Sequence, residues 1–126
     1  MSNWTHVAAI VRVDSLRFVE GDIDFERVFG KQISFHSDAS EWDEAMKHPE
    51  RFLPMGSEGS LKMQIWANPD MHSMAAYTIA IFGDLRDHDS AQAIVDWFKD
   101  KCSELFIRQA TIIAENERNG VASWDT

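Results

Sequence analysis

The chain carries two runs, Val7-Ala8-Ala9-Ile10-Val11 and Ile79-Ala80-Ile81-Phe82, that are apolar at every position, whereas a half-solvated strand alternates apolar with polar residues. Both faces of such strands require cover. A single layer of helices covers only one, so a second copy of the chain or a ligand is expected over the other. The first run lies in a strand predicted over residues 4 to 13, rich in β-branched side chains and closed by Asp14-Ser15. Val7, Ala9, Val11 and Val13 are assigned to its helix side, and His6, Ala8, Ile10 and Arg12 to the opposite side.

Asp22 or Asp24 can cap a short helix through Phe25, Val28 and Phe29, with Gly30 as its stop. Lys31 to His36 reads as a short edge strand, and Ser40 as the cap of a helix over Glu41 to His48, ended by Pro49. Trp42, Ala45 and Met46 form that helix's apolar stripe. Pro49 to Ser60 is dense in proline, glycine and serine and reads as an ordered loop or lid. Leu61 to Ala67 alternates with period two, Asn68-Pro69-Asp70 makes a turn, and Met74 to Phe82 returns as the other arm of a hairpin. Ser90 opens the longest helix, with Ala93, Ile94, Trp97, Phe98, Cys102, Leu105 and Phe106 at three- and four-residue steps. Ile107 to Ala114 is the next strand, and Asn119-Gly120 turns it into a terminal strand, Val121 to Trp124.

This order predicts an α+β fold of ferredoxin-like βαββαβ type: an antiparallel sheet with helices on one face and an elaborated first crossover over residues 14 to 60. The expected strand order is 4-1-3-2, with the doubly apolar strands at the centre and strand 61 to 67 at an edge. At 126 residues, one domain with its own core is expected.

Twenty-one acidic against twelve basic side chains give a formal net charge of −9, which disfavours direct nucleic acid and anionic lipid as partners. The same charge allows mimicry of a nucleic acid toward a basic protein. Cys102 is the single cysteine, which excludes an internal disulfide and fits a reducing, cytoplasmic setting; its helical phase makes it core filler. No apolar run reaches the roughly 18 residues of a membrane span, so no membrane partner is expected.

The candidate binding residues are Arg12, Gln64, Trp66 and Arg108. With the last strand antiparallel to the first, Arg12 and Arg108 come to one rim, where guanidinium forks suit a carboxylate or phosphate. Gln64 and Trp66, on the exposed parity of their strand, add an amide and a stacking plane. Met55 to Ser60 is a superficial phosphate cradle, but it lacks a P-loop lysine and dinucleotide spacing, and Glu58 repels phosphate, so a structural turn is the better reading. His6, His36, His48, His72 and His88, with Asp38, Asp84, Asp87 and Asp89, form no metal-ligand spacing. No nucleophile elbow is present, and Glu41, Asp43 and Glu44 sit on a solvated helix. No metal, cofactor or catalytic residue is therefore assigned. Trp97 is placed in the core; Trp4 and Trp124 are expected to pack together or at a subunit contact.

The compact acidic chain, with Trp4-Thr5-His6 opening a strand and Phe82-Gly83-Asp84-Leu85-Arg86-Asp87 before the main helix, resembles small accessory proteins of phage or prophage origin. The resemblance implies an inhibitor of host defence, one that sequesters a signalling nucleotide in an oligomer or occupies an effector protein; it carries over no functional residue. The resulting expectation is a non-enzymatic homo-oligomer that binds a small anionic or nucleotide-like molecule. One alternative is an acidic module that inhibits a host nucleic-acid-binding effector, in the manner of an anti-CRISPR protein. Another is a small oligomeric ferredoxin-like enzyme.

Overall fold

Alternation of buried and exposed side chains along Trp4–Leu16 (β1) sets the geometry of the whole molecule: Val7, Ala9, Val11 and Val13 are buried, while His6, Ala8, Ile10 and Arg12 are exposed. The computed structural model describes residues 2–16, 23–34, 36–67, 74–88 and 90–126. After β1 come helices Phe25–Phe29 (α1) and Ala39–Lys47 (α2), a 3₁₀ turn at Pro49–Arg51, strands Lys62–Ala67 (β2) and Met74–Arg86 (β3), helix Ala91–Cys102 (α3), and strands Ile107–Asn116 (β4) and Gly120–Asp125 (β5).

The strands form one antiparallel sheet in the order β2-β3-β1-β4-β5. The fold is therefore α+β, with the two doubly apolar strands inside the sheet. The terminal hairpin places β5 beyond β4, so the five-stranded order differs from the four-stranded order 4-1-3-2 of a ferredoxin-like sheet. β1 and β3 both run longer than their apolar runs, because the two strands pair from Trp4 with Arg86 to Leu16 with Met74.

α3 covers the helix side of the sheet. Ser90 caps it by accepting from the Ala93 N–H at 3.0 Å, and Ala91, Ile94, Val95, Phe98 and Cys102 bury its apolar stripe against β1, β4 and β5. Phe98 stacks on Phe29 of α1 and meets Trp124 of β5 edge-on, with ring centroids 6.2 and 6.0 Å apart. Trp97 is half-buried beside them, as its helical phase predicts. A smaller cluster, Ile33, Ala45 and Phe52 with Met55 against it, anchors α2.

Four local expectations need correction. The described residues of Lys31 to His36 form no strand: Lys31 makes a single parallel bridge to Phe52, and the Ser34 N–H is taken by the Ser37 hydroxyl. Asp38 caps α2, accepting from the Glu41 N–H at 2.9 Å, while the Ser40 hydroxyl donates to the same carboxylate. The main helix stops at Cys102, where Ser103 and Leu105 close onto the last carbonyls, so Phe106 is 78% exposed instead of lining a helix face. Of the two places expected for Trp4 and Trp124, packing together is ruled out, because Trp4 shares the parity of His6 and Ala8 whereas Trp124 packs on Phe98 across the sheet. Of the first helix's two candidate caps, Asp24 fills the role and residue 22 lies outside the described residues, as do the turn over residues 68–70, His72 and Asp89.

Candidate functional site: the uncovered sheet face

Directly paired residues of an antiparallel sheet share a face, so the register places outward side chains in transverse rows. One row reads Trp66, Thr78, Arg12 and Gln109 across β2, β3, β1 and β4. The next holds Gln64, Ala80, Ile10 and Thr111, and the third Lys62, Phe82, Ala8 and Ile113. A fourth, Asp84, His6 and Glu115, closes the far end. The centre is largely open, with Ile10 54% and Ile113 52% exposed, while Phe82, 37% exposed, shares a cleft with Gln32, Ser34 and Ser60 of the first crossover. The apolar strip foreseen on the outer parity of β1 is thus bare in a single chain.

Three of the four predicted site residues fall on adjoining rows. Arg12 and Trp66 share a row, two strand spacings or roughly 10 Å apart, with Thr78 between them and Gln64 one row away. Arg108 differs. It sits where the register of β1 against β4 shifts, next to the Arg12/Val13 step, and its guanidinium lies 3.7 Å from the Asp14 carboxylate. Arg108 is thus paired with a carboxylate of its own chain. Thr78 and Gln109 complete the row but have no mark in the sequence, because parity can be read from alternation and register cannot.

The far end of the face is acidic. His6 Nδ1 lies 2.6 Å from Asp84 and its Nε2 lies 3.9 Å from Glu117, with Glu115 paired beside it. The hydrogen bond with Asp84 raises the His6 pKa above 6.5, outweighing the opposing desolvation with help from the charges of Asp84, Glu117 and Glu115. A shallow depression of about 330 Å³ lies here, lined by His6, Ala8, Phe82, Asp84, Ile113 and Glu115.

A roomier concavity lies elsewhere, a cleft of about 600 Å³ between Trp42 and the Gly56–Ser60 loop. Its polar groups are already engaged: Glu58 pairs with Arg86, the Ser57 hydroxyl donates to Asp87, and the Ser60 hydroxyl donates to the Ile33 carbonyl. The described lining contains no cationic side chain. The loop's glycines serve contact with β3, since a Cβ at Gly56 would lie 2.3 Å from the Arg86 carbonyl oxygen and one at Gly59, whose φ is +79°, 2.2 Å from that of Asp84. Met55 to Ser60 thus packs as a turn against β3.

Two further observations bear on chemistry. Cys102 is buried among apolar side chains, which pushes its thiol up to about 12 and withholds the thiolate. No group of three or more His, Cys, Asp or Glu among the described residues is placed to hold a metal ion. Among the described residues no helix is long and apolar enough to cross a membrane. No protein-family model, curated protein or solved structure matches the chain.

Proposed function

We propose that the chain is a non-enzymatic binding protein, built on a ferredoxin-like sheet extended by one strand, whose ligand is a small planar anion held on the open face. The single observation that supports this is the row Trp66, Thr78, Arg12 and Gln109. It offers a stacking plane, a hydroxyl, a guanidinium and an amide over a span that matches a nucleotide. Arg12, unlike Arg108, has no carboxylate within ion-pair distance among the described residues. Its guanidinium fork therefore suits a phosphate or carboxylate. A signalling nucleotide is the ligand class that also agrees with the resemblance to phage accessory proteins.

Calorimetry and thermal-shift titration with mono-, di- and cyclic nucleotides and with dicarboxylates test this reading. One class should raise the melting temperature. Arg12→Ala should weaken its binding by roughly 10- to 100-fold, the size of a charge-assisted hydrogen bond. Trp66→Ala should cost about as much through lost stacking, and Arg108→Ala less. No stabilisation by any member would refute the proposal. A second reading, a protein-interaction module, is favoured by the bare centre at Ile10, Phe82 and Ile113. A captured partner protein released by rising salt would support it.

A further inference from the structure

The open face has a shape and charge pattern that fits a copy of itself. We infer that two chains associate face to face about a twofold axis that lies between the two sheets, parallel to them, runs across the strands, and is level with the gap between the Ala8 and Ile10 rows. The inference rests on the reading above in that it names the partner of the same face.

A twofold axis in this position keeps each strand over its own counterpart and reverses its direction. The row Phe82, Ala8, Ile113 then meets the partner's row Ala80, Ile10, Thr111. At the centre the oppositions are large against smaller, with Phe82 over alanine, Ala8 under isoleucine and Ile113 over threonine, while Lys62 over Gln64 and Ser123 over Asp125 form polar margins. Interdigitation of this kind is what packed inner faces of two sheets require, with the strands some 30° from alignment.

The charges follow the same axis. Arg12 at one end is carried over the opposite end of the second copy, where His6 is surrounded by Asp84, Glu115 and Glu117. Whichever state His6 adopts, three carboxylates leave that end negative and complementary to a guanidinium. The other simple twofold, parallel to the strands, would set Arg12 against Arg12 and the acidic ends against one another. The electrostatics therefore select one axis of the two.

The area is sufficient. Five strands about 4.8 Å apart and some ten residues of strand at about 3.3 Å each give a face on the order of 800 Å² per copy, the size of a standard specific interface. Its centre is apolar and its ends are charged, the usual anatomy of such interfaces. Dimer and anion both draw on Arg12, so a nucleotide that binds the row should loosen the pair.

Sedimentation velocity with light scattering tests this over a wide range of protein concentration. The wild-type chain should show twice its 14.4 kDa protomer mass. Arg12→Glu, and separately the double change Asp84→Arg with Glu115→Arg, should each halve that mass while keeping the wild-type circular dichroism spectrum. Mixing the two variants should restore the dimer, because each reversed charge then faces its complement. Restoration on mixing also guards against variants that merely misfold, and Ile10→Asp gives an independent break at the centre. A protomer that stays alone at every concentration overturns the inference, as does a dimer indifferent to Ile10→Asp and to the charge reversals. A lone protomer that retains Arg12-dependent nucleotide binding defeats the pairing and leaves the ligand reading standing. A charge-sensitive dimer that no nucleotide stabilises or loosens does the opposite.

Discussion

Asn116 is the best place to perturb the fold with a magnitude worked out beforehand. It is 1% exposed, and its amide donates to the Thr5 hydroxyl at 2.9 Å and to the His88 carbonyl at 3.1 Å. Its carbonyl accepts from the Arg118 and Asn119 N–H groups at 3.0 and 2.9 Å, shaping the turn into β5. Thr5 also donates to the His88 carbonyl, so β1, the segment before α3 and β4 meet at one polar knot. Asn116→Ala removes four hydrogen bonds worth about 1 kcal/mol each, of which the two at the partly buried turn are partly recovered by water. The expected loss is roughly 2–4 kcal/mol. In urea, with a slope of about 1.5 kcal/mol per molar, the midpoint should fall by about 2 M with the slope unchanged. Asn116→Asp sharpens the test: it keeps the turn acceptor but turns a carboxylate oxygen toward the His88 carbonyl. At neutral pH it should lose at least as much as alanine, and it should recover as the carboxyl is protonated. A midpoint shift below about 0.5 M for alanine, or an aspartate variant more stable than alanine at neutral pH, would show that these hydrogen bonds do not hold β1 to β4.

The remaining predictions concern charge, packing and reactivity. Because the folded His6 pKa is raised, its stabilisation is complete below the unfolded value near 6.5 and is lost as pH climbs through the folded one. Melting temperature should therefore decline across the neutral range in the wild type, and Asp84→Asn should flatten that decline; an identical slope in both would exclude the pair as its source. His6 is half-exposed, so added salt should shrink the effect. Gly56→Ala drives a methyl group into the Arg86 carbonyl and should cost about 1–3 kcal/mol by urea unfolding; a neutral outcome would show that the loop lifts freely off β3. The Cys102 thiol should resist a disulfide reagent in the native protein and react at once in denaturant; rapid native labelling would contradict its burial.

Much of the architecture was readable because one periodicity dominated each element. Val7, Ala9, Val11 and Val13 on one parity located the inner face of β1, and the spacing from Ile94 through Phe98 to Cys102 located that of α3. Misreadings arose where neighbouring residues offered equivalent chemistry. Asp38 and Ser40 both cap helices well, and only the backbone angles decide between them. The end of α3 carries no glycine or proline, so the phase of Leu105 and Phe106 extended the pattern past its stop. The face was legible in part for a different reason. Alternation told which side Gln64, Trp66 and Arg12 take, but the row uniting Arg12 with Thr78 and Trp66 depends on pairing register between segments distant in the chain. The bulge that hands Arg108 to Asp14 leaves no local trace at all.

The central position of β1 carries a kinetic consequence. β1 leaves the ribosome well before its two neighbours, β3 and β4, which follow it by more than half of this sequence, and its contact from Thr5 to Asn116 spans 111 residues. Loop closure of that length must precede its reward, which places folding in the slow regime of milliseconds to seconds. Until β3 and β4 arrive, a nascent chain presents an unpaired ribbon of valine, alanine and isoleucine, the kind of segment that chaperones hold. Stopped-flow refolding of the finished protein and ribosome-stalled truncations lacking β4 should therefore reveal the same late commitment.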